Sequence, residues 1–390
     1  MIERDLTVRL RKAARQFPAV TLTGPRQSGK STLCQHVFAK LPYANLEAPD
    51  IRAFAINDPR AFLAQYPKGA IIDEVQRVPE LPSYLQGIID AHPKPGRWIL
   101  TESRNLTLLE SVSQSLAGRS AVLHLLPLAR DEVLRFRRYP KTLDRSMVAG
   151  GYPRIFDRQL NPSDWLRSYV ATYIERDVRT ITNIGDLITF QRFIELCAGR
   201  TAQLLNYSSL ASDCGVSQPT VKAWLSVLET SFIAFRLPAF HSNLRKRLVK
   251  MPKIHFYDTG LVCWLLGIRS HDQLRSHPLR GAIFESWVVS EIVKHRMNNG
   301  ETGGVSFYRD RDGVEADLII ERSGGLMIVE AKAAQTATAG LFDGINRVAH
   351  HLSDHGSPCH GMLVYGGDEV QRRTNVKLMS WSHIHEESWV

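Results

Sequence analysis

The sequence predicts a mixed α/β protein with an N-terminal parallel P-loop sheet, a central helical region with a helix-turn-helix, and a C-terminal α/β domain. Three observations predict it. Short apolar strands alternate with helical spacing up to about residue 126, the mark of a mainly parallel sheet. A glycine-rich loop joins the first strand to the helix after it. Near residue 140 the spacing turns helical, and strands return only beyond Gly281.

At 390 residues the chain is too long for one compact core, and the pattern divides it at 1–135, 136–250 and 251–390. Its 44% hydrophobic content excludes a disordered class. No apolar run reaches bilayer length, and the first residues, MIERDLTVRLRKAARQF, are charged and amphipathic, without the apolar centre of a leader. A cytoplasmic location with no membrane partner is the expectation. Cys34, Cys197, Cys214, Cys263 and Cys359 form no CxxC or zinc spacing, so reduced thiols are expected. The net charge of +10 suits DNA as a partner and equally suits an ordinary basic surface.

In chain order, residues 1–17 read as a helix and Pro18–Thr23 as a buried strand. A helix follows from Thr32, then strands at Tyr43–Glu47, Pro67–Glu74, Gly96–Thr101 and Ala121–Leu126. Asp58–Tyr66 and Pro82–His92 have helical spacing between them. Trp165 to about Arg236 is helical, and 237–250 reads as a linker or exposed hairpin. A helix at Ile283–Met297 precedes strands at Gly304–Tyr308, Glu315–Glu321 and Leu326–Ala331.

Gly24, Pro25, Arg26, Gln27, Ser28, Gly29, Lys30 and Ser31 form G-x-x-x-x-G-K-S between a strand and a helix. The glycines let backbone N–H groups turn toward phosphates, and the helix N-terminus adds a field that favours anions. Lys30 would reach the terminal phosphates, and Ser31, followed by Thr32, would offer a hydroxyl to Mg²⁺. Arg26 reads as a solvated side chain at the rim of this ATP site. Ala70–Glu74 is an apolar strand ending in two carboxylates. Asp73 would hold Mg²⁺ through water and Glu74 would polarise the attacking water. Thr101 or Ser103, at the end of a strand lying between these two, would sense the γ-phosphate. Arg119 reads either as a finger on a neighbour's ATP or as a surface salt bridge.

GPRQSGKST, NLEAPDIRAFAINDP, IIDEVQRVPEL and LAGRSAVLHLLPL resemble a family of bacterial and archaeal AAA+ ATPases that carry a C-terminal domain of uncharacterised function. GGYPRIFD, YIERDVR, HFYDTGL, HPLRGAIFE and GVEADLII…IVEAK extend the likeness over nearly the whole chain. The resemblance implies a five-stranded AAA+ sheet, ATP hydrolysis and a homo-oligomeric ring, for instance a hexamer. Glu102 departs from it, because the family carries a small glycine there. A carboxylate beside the γ-phosphate would repel it unless its side chain turns away.

Leu204–Leu228 has helix-turn-helix cadence. Ser208 or Ser209 would cap the first helix, Gly215 supply the turn, and Val216 plug the core. Ser217 would cap the second helix, with Pro219 in its first turn. Val221, Trp224, Leu225 and Leu228 would face inward, leaving Thr220 and Lys222 exposed. Arg245, Lys246, Arg247, Lys250 and Lys253 would form a basic wing on DNA phosphates. A structural or protein-interface role is the other reading of this module.

Glu330 and Lys332 leave one face of a strand, Asp317 lies on the strand before, and Glu285 on the preceding helix. This set resembles a PD-(D/E)xK nuclease core, which implies a second divalent metal held by carboxylates with Lys332 beside it. Such cores are also kept for binding alone, and an ion-paired strand pair is the plainer reading. Glu315 shares the face of Asp317 and would assist that site or pair with a nearby cation. Tyr173–Arg179 would be a subunit or domain contact, and Phe256–Gly260 a turn at a domain junction.

Overall fold

Leu10, Ala13 and Ala14 recur at helical spacing and are buried while Val8 is exposed, so α1 (Thr7–Gln16) lays one face on a core. This computed structural model describes residues 2–103, 115–174, 187–240, 251–353, 358–373 and 376–390. They form two compact units, one of 1–127 with 230–232 and 297–300, the other of 128–229, 233–296 and 301–390.

In the first unit, β1 (Ala19–Thr23), α2 (Lys30–Val37), β2 (Tyr43–Asn45), α3 (Pro49–Asn57) and α4 (Pro59–Ala64) follow α1. Then come β3 (Ala70–Asp73), α5 (Leu81–Ala91), β4 (Trp98–Glu102) and β5 (Ser120–His124). The five strands are all parallel, in the order β2-β3-β4-β1-β5. As the sequence implies, β4 separates the P-loop strand β1 from β3. Both faces of the sheet are covered. Leu6, Leu10, Leu33 and Cys34 pack with Val20, Leu22, Ile71 and Ile99 on one side. Phe62, Leu63, Leu81 and Leu85 pack with Ile72, Trp98 and Leu100 on the other. Burial on both faces is why these strands read as continuous apolar runs.

The second unit opens with short helices α6 (Arg130–Leu134), α7 (Leu143–Ala149), α8 (Pro153–Asp157) and α9 (Pro162–Tyr169). Next are α10 (Leu187–Gly199), α11 (Tyr207–Cys214), α12 (Gln218–Thr230), and β6 (Ala234–Leu237) paired antiparallel with β7 (Lys253–Phe256). The expected division at 250/251 therefore falls between two paired strands. After α13 (Thr259–Leu265) and α14 (His271–Arg275), the long α15 (Arg280–Asn298) leads into a second sheet.

That sheet has six strands: β8 (Val305–Arg309), β9 (Glu315–Arg322), β10 (Gly325–Lys332), β11 (Cys359–Tyr365), β12 (Gln371–Arg372) and β13 (Val376–Ser380). Its order is β12-β13-β11-β10-β9-β8, antiparallel from β8 to β10 and parallel from β10 through β11 to β13. The connection from β10 to β11 carries α16 (Asp343–Ser353), whose Ile345, Val348 and Leu352 cover Ile319, Ile328 and Leu363. The elements from α16 onward were not anticipated, although the three- and four-residue spacing of those apolar side chains marks the helix.

Two motifs meet inside the second unit. Asp258 is buried at the N-terminus of α13, where it accepts hydrogen bonds from Leu261 N–H at 2.8 Å and from Gly151 N–H at 2.6 Å. Gly150 has φ 66°, and a Cβ there would lie 2.3 Å from Asp258 Oδ1. GGYP and FYDTG are thus two halves of one packed joint, not a turn between domains. Asp258→Ala strands two buried N–H groups, so thermal or urea unfolding of this variant is expected to read about 3 kcal/mol less stable. The side chains of Tyr173–Arg179 lie outside the described residues.

Candidate functional site

The loop after β1 owes its path to residues that tolerate unusual backbone. Gly24 has φ 148°, and a Cβ on it would sit 2.2 Å from Leu125 O, so only glycine fits this approach. Gln27 (φ 64°) and Gly29 (φ 96°) complete the turn into α2. No side chain caps the N-terminus of α2, which leaves its first N–H groups for an anion. Ser28 Oγ is buried and has no hydrogen-bond partner among the described residues, a further donor facing inward. Arg4 braces the loop from α1's start, donating to Ser28 O at 2.7 Å and Leu126 O at 2.8 Å. Sequence reading missed Arg4, which lies 24 residues from Ser28 and outside any motif.

Lys30 Nζ donates to Gly24 O and Pro25 O, both at 2.9 Å. Burial lowers its pKa against the pull of Glu74 and Asp73. Ser31 Oγ donates to the Asp73 carboxylate, 2.9 Å from each oxygen, and Tyr43 Oη donates to Asp73 Oδ2. Thr101 Oγ1 also donates to Asp73. The parallel pairing of β3 with β4 brings Asp73, Glu74, Thr101 and Ser103 to one sheet edge. These are oxygen donors of the hard kind that Mg²⁺ takes, and they fit that ion.

Glu74 leaves the strand in left-handed backbone, φ 56° and ψ 47°, a conformation that is unfavourable for this residue type. Ser103 Oγ donates to its Oε1 at 2.6 Å, and Gln76 Nε2 donates to its Oε2. Burial alone would raise the Glu74 pKa, but Lys30 and these hydrogen bonds outweigh it and hold the carboxyl below its usual range. Tyr43 and Gln76 were not anticipated, because neither belongs to the loop or the acidic pair. Glu102 is fully buried and alternates with Thr101. It shares the β4 face of Trp98 and Leu100, away from Asp73. Of the two readings of Arg119, the chain by itself forms the salt bridge, with Nε 2.5 Å and Nη2 2.9 Å from the two oxygens of Asp90. Arg26 is not simply solvated, as its Nη1 lies 3.6 Å from Glu47.

In the second unit, α11 and α12 are joined by a turn in which Gly215 has φ 71°. Asn206, not Ser208 or Ser209, caps α11 by accepting from Ser209 N–H at 3.1 Å. Ser217 caps α12 through Thr220 N–H at 3.2 Å. Val221, Trp224, Leu225 and Leu228 are buried, while Val216 and Thr220 are half-buried and Lys222 is exposed. Lys222 Nζ lies 5.6 Å from the centre of the Tyr207 ring. Arg245, Lys246, Arg247 and Lys250 lie outside the described residues.

Lys253 is no part of a wing, because it is only 3% exposed and its Nζ donates to Glu285 Oε1 at 2.7 Å. It also lies 3.6 Å from Asp317 Oδ1. Asp317 Oδ2 accepts from Ala331 N–H at 2.9 Å, and Lys332 Nζ meets Glu330 Oε1 at 2.5 Å. The sequence-predicted residues Glu285, Asp317, Glu330 and Lys332 do come together. Burial, then the Asp317 charge, pushes Glu330 up to about 7 and Glu285 well above the usual carboxylate range. Glu315 is half-buried and pairs with Arg309 at 3.7 Å, and its charge also acts on Lys253, Glu285 and Glu330. Among the described residues no group of three or more His, Cys, Asp and Glu is arranged to hold a metal ion. No helix among them is long and apolar enough to cross a membrane.

Three family models match in succession. Residues 16–134 match an AAA domain, 140–272 a domain of unknown function (DUF8612), and 280–384 another (DUF4143). The first makes residues 16–134 an ATP-binding P-loop domain of the AAA ATPases. Among solved structures, the Walker-type ATPase PABY2304 of Pyrococcus abyssi is similar at 14% identity and TM-score 0.45, covering 68% of this chain and 96% of that one. RuvB of Thermotoga maritima is similar at 16% identity and TM-score 0.33, covering 61% and 90%. At these scores neither likeness defines the fold or the function. The uncharacterized proteins Rv2008c of Mycobacterium tuberculosis and Mb2031c of Mycobacterium bovis are each 31% identical over 336 residues. That alignment covers 85% of this chain and 74% of each relative. On that identity and coverage, the chain belongs to the family of these two mycobacterial proteins.

Proposed function

We propose that this chain is a Mg²⁺-dependent ATPase whose nucleotide cycle governs contact with DNA. One observation carries the ATPase reading: the Ser31–Asp73 pair at 2.9 Å stands beside Glu74, which Ser103 orients at 2.6 Å. The loop N–H groups and Lys30 would bind the phosphates, with Lys30 leaving the carbonyls of Gly24 and Pro25 for them. Ser31 and Asp73 would hold Mg²⁺, which when bound neutralises charge on the phosphate oxygens and orders them. Glu74, kept ionised, would accept a proton from the attacking water, and Ser103 fixes its carboxylate in place. Arg119 would exchange Asp90 for a neighbour's phosphate in a homo-oligomeric ring, a role that requires subunit assembly. Light scattering with and without ATP tests that assembly.

DNA is the proposed partner on the strength of the net charge of +10 and the α11–turn–α12 pair with Lys222 outward. ATP turnover is expected to rise several-fold with double- or single-stranded DNA, in the manner of a ligand-coupled switch. An unfolded polypeptide should leave it unchanged. Stimulation by polypeptide and none by DNA would instead make the chain a protein remodeller. DNA cleavage by the C-terminal sheet would need a divalent ion at Glu285, Asp317 and Glu330, and the ion pairs found there weigh against one.

A further inference from the structure

The spacing from Asp317 to Glu330 and Lys332 leads one to expect a divalent ion on β9 and β10. The groups that surround those carboxylates do not fit one. Lys253 comes from β7, outside that spacing, and its ammonium is buried between Glu285 at 2.7 Å and Asp317 at 3.6 Å. The other Asp317 oxygen takes the Ala331 N–H, and Glu330 takes the Lys332 ammonium. Each of the three carboxyl groups therefore has at least one oxygen turned to a donor supplied by the protein, while Glu330 Oε2 is buried without a hydrogen-bond partner among the described residues. A divalent ion on Glu285 and Asp317 would have to displace Lys253 or the Ala331 N–H, or sit against a buried positive charge, which the low local dielectric makes unfavourable.

We infer that the Lys253 ammonium stands where a nuclease-like core would hold its divalent ion, so that Glu285, Asp317 and Glu330 form a metal-independent, ion-paired core. The same lysine ties the β6–β7 ribbon to α15 and β9. Nearby, Thr201 Oγ1 donates to Ser286 Oγ at 2.9 Å, and His255 Nδ1 lies 3.3 Å from the same oxygen. The cluster thus links the helical segment to the second sheet without a cofactor.

The test is Mn²⁺ titration of the full chain without nucleotide, followed by electron paramagnetic resonance, in wild type and Asp317→Asn. Subtracting the two isolates this cluster from the P-loop site, and the expected result is no difference. Lys253→Met is expected to melt about 5 °C lower or more, because its carboxylates lose their partner. Millimolar Mn²⁺ should recover part of that loss, and Asp317→Asn in the same chain should remove the recovery. The inference is overturned if wild type binds about one equivalent of Mn²⁺ that Asp317→Asn loses. It is equally overturned if Lys253→Met melts like wild type with or without Mn²⁺. Should Lys253→Met fail to fold, the comparison of wild type with Asp317→Asn still decides.

Discussion

Lys30→Ala is expected to abolish measurable ATP binding while leaving the first unit folded. The lysine is the strongest point charge available to the terminal phosphates, and charge-assisted bonds of this kind are about twice as strong as neutral ones. Losing it should weaken ATP by at least roughly 100-fold, about 2.7 kcal/mol. The variant should stay folded but melt lower than wild type, because the burial cost of the ammonium is removed while Gly24 O, Pro25 O and the Asp73 and Glu74 charges lose it as a partner. Titration with a fluorescent ATP analogue, with a melting curve as the control, checks both halves. Tight ATP binding retained by Lys30→Ala would count against the loop as the site.

Glu74→Gln is expected to bind ATP as wild type does and to hydrolyse it roughly 100-fold more slowly, the effect of removing a positioned general base. The substitution keeps the size of the side chain and so the left-handed turn at this position. It removes the charge, and one of the two oxygens that accept from Ser103 and Gln76 becomes an amide donor. ATP should therefore accumulate on the variant. The measurement is phosphate release under single-turnover conditions, with bound ATP measured in parallel. Equal release by wild type and Glu74→Gln would remove the role assigned to Glu74.

Local patterns made much of this legible in the sequence. The strands of the first sheet are buried on both faces, so their apolar runs stand out between turn residues. G-x-x-x-x-G-K-S sits in its required strand–loop–helix context, and the acidic pair ends an apolar strand. What sequence did not expose depends on long-range geometry. Arg4, Tyr43 and Gln76 reach the site through folding alone, and no spacing announces them. Lys253 looked like one more cation in a basic run, yet it is buried among carboxylates because β7 pairs with β6 and faces α15. Asp258 had no visible partner because its partners are backbone N–H groups, one of them 107 residues away. The alternation that places Glu102 opposite Thr101 was readable in β4 itself. Only the strand's extent to Glu102 settles which way the carboxylate turns.

If the Ser31–Asp73 and Glu74–Ser103 pairs form a Mg²⁺-dependent hydrolysis site, turnover depends on both the ion and the two pairs. The deciding measurement is phosphate release from ATP by the purified chain, with Mg²⁺ and with EDTA. Multiple turnovers are expected that require Mg²⁺, vanish in Lys30→Ala and fall roughly 100-fold in Glu74→Gln. Tight ATP binding by wild type with no phosphate release, or release that is the same in all three proteins, would rule this site out as a hydrolysis centre.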